Sequence, residues 1–135
     1  MTNRKLILLF LILAAVILPG CTYGNYSSTR SVQINTSSQM YMSYAKFNGT
    51  RTTQVRVKKG KPIDVHAKIV SKEGNLDLSV TDDKKNKIYN GKNLPTSSFV
   101  VTIDKEGVYN ITVRGEKHKG SYKITWGEAN EENNK

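Results

Sequence analysis

Apolar side chains recur at every second position through most of this chain, and a period of two can be buried only as β-strand. Ile63, Val65, Ala67 and Ile69 alternate with Asp64, His66 and Lys68. Leu76, Leu78 and Val80 alternate with Asp77, Ser79 and Thr81, and Val55 and Val57 with Gln54, Arg56 and Lys58. Phe99, Val101 and Ile103 repeat the pattern, as do Tyr109, Ile111 and Val113, and then Tyr122, Ile124 and Trp126. Residues 40–47 also read as strand, with Tyr41, Met42 and Tyr44 falling on both faces. No convincing helical period competes. Each run therefore has one apolar and one wet face.

Turn residues punctuate the runs: Asn48-Gly49, Lys59-Gly60-Lys61-Pro62, Glu73-Gly74-Asn75, Asn90-Gly91, Leu94-Pro95 and Glu106-Gly107. About eight short antiparallel strands follow, with no room for crossover helices, so the expected fold is an all-β, jelly-roll-like antiparallel β-sandwich. A small closed barrel is the alternative. Two sheets face to face bury every apolar face at once, which a single open sheet cannot do. Trp126 and the aromatic residues of the inner faces supply much of that core.

The first twenty residues do not share this pattern. Arg4 and Lys5 precede an unbroken apolar run from Leu6 to Leu18, then Pro19, Gly20 and Cys21. That is the anatomy of a secretory signal. An apolar run of this length falls short of the roughly 20 residues that span a hydrocarbon core as a helix. The site Leu18-Pro19-Gly20-Cys21 resembles the lipobox of bacterial lipoproteins, with Leu18, Gly20 and Cys21 matching and Pro19 standing where Ala, Ser, Thr or Val is usual. The resemblance implies cleavage between Gly20 and Cys21 and diacylglyceryl transfer to the Cys21 thiol, the nucleophile that such chemistry requires. Two acyl chains supply on the order of 20 kcal/mol of membrane affinity. The implied location is the extracytoplasmic face of a cell membrane, in a one-membrane or a two-membrane cell; Thr22 supplies no Asp of the kind that retains a lipoprotein at an inner membrane.

This reading divides the chain into a signal peptide at residues 1–20, a lipidated amino terminus and flexible tether at 21–38, a β-sandwich at 39–127 and a disordered acidic tail at 128–135. The tether is rich in Ser, Thr, Asn and Tyr, with one weak alternation at Val32 and Ile34 that allows an edge strand. Cys21 is the only cysteine, so no internal disulfide forms and an apolar core must hold the fold. The chain carries a net charge of +10; without Arg4 and Lys5 it has 19 basic and 11 acidic residues, about +8. Electrostatic partners are therefore anionic.

Residues 107–113, Gly-Val-Tyr-Asn-Ile-Thr-Val, are echoed by residues 120–126, Gly-Ser-Tyr-Lys-Ile-Thr-Trp. The spacing predicts an antiparallel hairpin with residues 115–119 as its loop. This ending, preceded by Ser98-Phe99-Val100-Val101-Thr102-Ile103-Asp104, resembles the close of small jelly-roll domains such as the bacterial pre-peptidase C-terminal family and the GOLD domain, over roughly residues 50–127. The resemblance implies a binding or packing module and not an enzyme; it carries over no ligand or metal residue.

The residues themselves offer little chemistry. No Gly-x-Ser-x-Gly, His-Glu-x-x-His or phosphate-binding glycine loop is present. His66 falls on a polar strand face beside Asp64 and Lys68 and reads as solvated. His118 falls in the expected hairpin loop, where Lys117 and Lys119 lower its pKa and discourage a metal. Asp82 and Asp83 share a loop with Lys84, Lys85 and Lys87, so a solvated turn is favoured over calcium. No catalytic residue, metal or cofactor is expected. Arg56, Lys58, Lys59, Lys61, Lys68, Arg114, Lys117, Lys119 and Lys123 occupy outward strand positions or loops and form the candidate contacts to an anionic surface. Nucleic acid is not expected, because no aromatic stacking platform lies in a basic strand face.

The sequence thus points to a lipid-anchored, non-catalytic module that binds an envelope protein or an anionic wall polymer. The alternative is a small protective or exclusion-type surface lipoprotein acting on an incoming membrane machine.

Overall fold

A computed structural model describes residues 23–129, and every element in them is a strand. These are β1 (Tyr26–Thr29), β2 (Val32–Thr36), β3 (Gln39–Val57), β4 (Ile63–Asp82), β5 (Lys87–Gly91), β6 (Ser97–Ile103) and β7 (Gly107–Glu128). All pairings are antiparallel and belong to one continuous seven-stranded sheet. The all-β antiparallel class matches the alternation in the sequence. The strands number seven, not eight: three of the expected turns are not reversals, so six runs merge into three long strands, while β1 and β5 are strands that the alternation did not announce.

Three long strands explain the difference. On both sides of Asn48-Gly49, β3 pairs with the same partner, residues 39–44 with 120–125 and residues 49–57 with 107–115 of β7. A reversal would have paired the two sides with each other. The same holds for β4 across Glu73-Gly74-Asn75, and for β7 across residues 115–119. The expected hairpin of residues 107–126 is therefore one bent strand of 22 residues. Register shifts mark each bend, between Tyr44 and Gly49 in β3 and between Ser71 and Asn75 in β4. Such bulges bend a strand and add twist without ending it.

Glycine permits the close approach at the bend. A Cβ on Gly120, whose φ is +144°, would lie 1.9 Å from the Val70 carbonyl oxygen. A Cβ on Gly115 would lie 2.2 Å from the Phe47 ring, which packs flat across that position.

Bending folds the sheet onto itself in two five-stranded layers. Layer one runs β2, β3, β7, β4, β6, using residues 39–44, 120–128 and 63–71 of the long strands. Layer two runs β1, β3, β7, β4, β5, using residues 49–57, 107–115 and 75–82. The core lies between them, with Met40, Met42, Val65, Ala67, Ile69, Tyr122 and Ile124 from layer one facing Val55, Val57, Leu76, Leu78, Val80, Tyr109, Ile111 and Val113 from layer two. Tyr41 faces outward, which settles the face of residues 40–47. Trp126 packs at the rim and donates its indole N–H to the Ser37 carbonyl at 3.1 Å.

Residues 21–38, read from composition as a tether with at most one edge strand, contribute two edge strands instead. β1 and β2 both pair with β3, and Tyr23 exchanges two backbone hydrogen bonds with Thr52, at 2.8 and 2.6 Å. Side chains in these strands are largely exposed, so the backbone ladder does most of the holding, helped by Tyr26 against the Phe47 ring, and the apolar pattern is almost silent. Gly20, Cys21 and the signal segment lie outside the described residues, as does residues 130–135 of the acidic tail.

Candidate functional site

Register brings outward-facing residues of layer one into rows across its strands. One row reads Ile34, Tyr41, Lys123, Lys68, Ser98, and the next Thr36, Gln39, Thr125, His66, Val100. With neighbouring strands about 4.8 Å apart, each row spans roughly 19 Å. Lys68 and Lys123 are direct cross-strand partners. Like charges directly opposite one another are unfavourable. Neither is in an ion pair; the one salt bridge among the described residues joins Lys119 to Glu73 at 3.0 Å.

Around this pair lies an open cleft of about 340 Å³, lined by His66, Lys68, Ser98, Val100, Lys123 and Thr125. Val32, Ile34 and Val100 stand exposed on the same face, at 61, 49 and 52% of their accessible area. The face is flat and open, with two cations at its centre and apolar side chains at both ends. Such a surface suits an extended anionic chain lying across the strands.

The other predicted basic residues do not join this pair. Arg56 and Arg114 project from the outer face of layer two, Lys58, Lys59 and Lys61 occupy the β3–β4 turn, and Lys117 and Lys119 flank the bend. All nine are exposed, on different surfaces. His66 is exposed in the cleft. Asp82 accepts hydrogen bonds from the Lys84 and Asn86 backbone N–H groups and the Asn86 amide, at 2.8–3.0 Å, closing the expected turn. Among the described residues, no three His, Cys, Asp or Glu side chains converge to hold a metal.

His118 is a correction. It is not in a solvated loop but fully buried at the bend of β7. Burial, not its lysine neighbours, lowers its pKa. Its Nε2 lies 2.8 Å from Ser71 Oγ and its Nδ1 2.5 Å from Tyr44 Oη. Because Ser71 spends its own proton on the Leu94 carbonyl at 2.8 Å, His118 donates from Nε2 and accepts at Nδ1 from Tyr44. Burial, with Tyr122 nearby, also pushes the Tyr44 pKa up, so that hydroxyl keeps its proton. Ser71 donates away from His118, the wrong polarity for a nucleophile activated by a base. The chain of bonds ties all three long strands together where they bend, and no periodicity in the sequence points to it.

A second polar group crosses the core. Arg51, 4% exposed, extends from layer two to the Tyr122 hydroxyl in layer one at 3.2 Å, with its guanidinium 5.1 Å from the Tyr26 ring centre. It bridges the layers by hydrogen bonding and cation–π attraction.

No family model matches the chain, and no curated protein matches it. Several solved structures overlay on it. One described as "CBM4 structure and function" gives a TM-score of 0.44 at 12% identity and covers 78% of each chain. A CBM29-2 mutant of the family 29 carbohydrate binding modules, complexed with mannohexaose, gives 0.41 at 9% identity over 79% of this chain and 80% of that one. TmCBM61 in complex with β-1,4-galactotriose gives 0.42 at 12% identity over 82% and 89%. At this level of identity they are likenesses of backbone.

Proposed function

We propose that the mature chain is a non-catalytic binding module, lipid-anchored through Cys21 on the extracytoplasmic side of a cell membrane, whose layer-one outer face takes an anionic envelope polymer. The observation that carries this reading is the opposed pair Lys68 and Lys123 on a flat, open face. An arrangement that repels itself in the free protein is relieved when a phosphate or carboxylate settles between the two ammonium groups. Exposed Ile34 and Val100 at the ends of the rows extend the contact with apolar surface.

The test titrates the Cys21→Ala chain with polyglycerol phosphate, polygalacturonate and uncharged dextran. Binding to the polyanions and not to dextran, weakened at least tenfold by Lys68→Glu with Lys123→Glu and by less than threefold by Arg56→Glu with Lys59→Glu, is expected. Affinity indifferent to Lys68 and Lys123, or capture of an envelope protein with no polymer bound, overturns the reading. Anchoring is tested separately: Cys21→Ala moves the protein from the membrane fraction to the soluble one.

A further inference from the structure

Resting on lipidation at Cys21, we infer that the end of the sandwich bearing the β3–β4 turn is a membrane-contact surface seated on anionic phospholipid headgroups. The chain is docked on the sheet from Tyr23 onward, through its paired backbone bonds with Thr52. Two residues reach at most about 7 Å, so the lipid-bearing residue lies within that distance of Tyr23. The docked strand runs antiparallel to β3. From Thr29 back to Tyr23 it runs beside β3 from Lys46 to Thr52, in the direction of the β3–β4 turn.

The turn is built to present charge. The Lys61 N–H bonds to the Lys58 carbonyl at 3.0 Å, and Gly60, at φ +71°, closes it with Lys59 beside the tip. Arg56, Lys58, Lys59 and Lys61 are all exposed, and no acidic residue lies between Gln54 and Ile63. The two other loops at this end cancel: residues 82–87 hold two Asp and three Lys, residues 104–106 two acids and one Lys. Two further acids stand at this end in layer one, Asp64 and Glu128, with Glu128 paired to Ile63 and Ala129 bonded to the Pro62 carbonyl; the four exposed cations Arg56, Lys58, Lys59 and Lys61 outnumber them. The end carrying the anchor therefore holds a net cationic turn that complements an anionic bilayer.

Seating fixes orientation. The bend lies roughly 26 Å up the strands, eight residues at 3.3 Å each. Strands then stand off the membrane, and the rows containing Lys68 and Lys123 face sideways into the envelope.

The experiment uses the lipidated mature protein in vesicles of phosphatidylcholine with phosphatidylglycerol. Fluorophores are attached at Lys59→Cys, in the turn, and at Lys92→Cys, near the bend, and quenched by spin-labelled lipid. Quenching several-fold greater at position 59 is expected, and the difference collapses in Lys58→Glu with Lys61→Glu while the protein stays vesicle-bound. Slower acetylation of Lys59 than of Lys92 in the unlabelled protein is the second expected readout. Equal quenching and equal acetylation at the two positions, with the protein retained, overturn the seating and leave the anchor standing. Failure of the chain with Cys21 intact to stay on vesicles overturns the anchor, and the seating with it.

Discussion

The two outer faces of the sandwich are made by the same three long strands, yet they are finished differently. On layer two the central outward row is neutral and polar, Thr52, Thr112, Ser79 and Asn90, and the charges beside it are mixed: Arg114 is paired with Asp77 in one neighbouring row, and Lys87 ends the other beyond Gln54, Asn110 and Thr81. Thr52 and Thr112 hydrogen-bond to each other at 3.1 Å across that row. Layer one places two lysines opposite one another and leaves Val32, Ile34 and Val100 exposed. A surface whose cross-strand pairs attract is complete alone; one whose central pair repels gains when a counterion arrives. The difference is what singles out layer one as the proposed binding face.

Because both faces depend on the common bend, the widest break in the comparison comes from acid. His118 is held neutral in the folded chain and takes a proton freely when unfolded, at the ordinary value near 6.5. Below pH 6.5 the unfolded state binds more protons, so stability falls as pH falls, by up to about 1.4 kcal/mol per pH unit until the folded state also protonates. Denaturant midpoints measured between pH 8 and 5 check this, and His118→Gln should flatten that part of the slope.

Next in size is binding. Glu at both Lys68 and Lys123 should weaken the polyanion complex at least tenfold, about 1.4 kcal/mol. Glu at both Ser79 and Thr112, partners on the opposite face, should change it less than twofold. Equal losses in the same titration would mean that overall charge, not a face, governs binding.

How much of this was legible in the sequence depended on what the sequence encodes locally. The inward positions of β7 were readable from Tyr109, Ile111, Val113, Tyr122, Ile124 and Trp126 alone, since burial writes itself as alternation. Their continuity was not, because Gly115 and Gly120 carry turn chemistry that here serves a bend. One signal was available: the inward set switches parity, from odd to even in β4 and β7 and from even to odd in β3. An intervening bulge produces that switch within one strand. The Lys68–Lys123 pair and the Tyr44–His118–Ser71 chain were not legible, because both depend on register between distant strands.

Smaller effects sharpen the contrast. Thr112→Val should cost about 0.5–1.5 kcal/mol in thermal or denaturant unfolding, through the lost bond to Thr52, without altering polyanion affinity. Lys68→Thr should do the reverse: a small rise in unfolding free energy as repulsion is relieved, together with weaker polymer binding.

The sharing of β3, β4 and β7 between both layers also dictates how the molecule comes apart. Neither layer owns its central strands, so the two layers are expected to melt together, with only the exposed edge strands β1 and β2 free to open first. Assembly faces the matching constraint. Gln39 must find Thr125 and Val57 must find Gly107 across long stretches of chain before either layer exists. Such distant closures place refolding in the slow range of about milliseconds to seconds, and the chain gains its layers together.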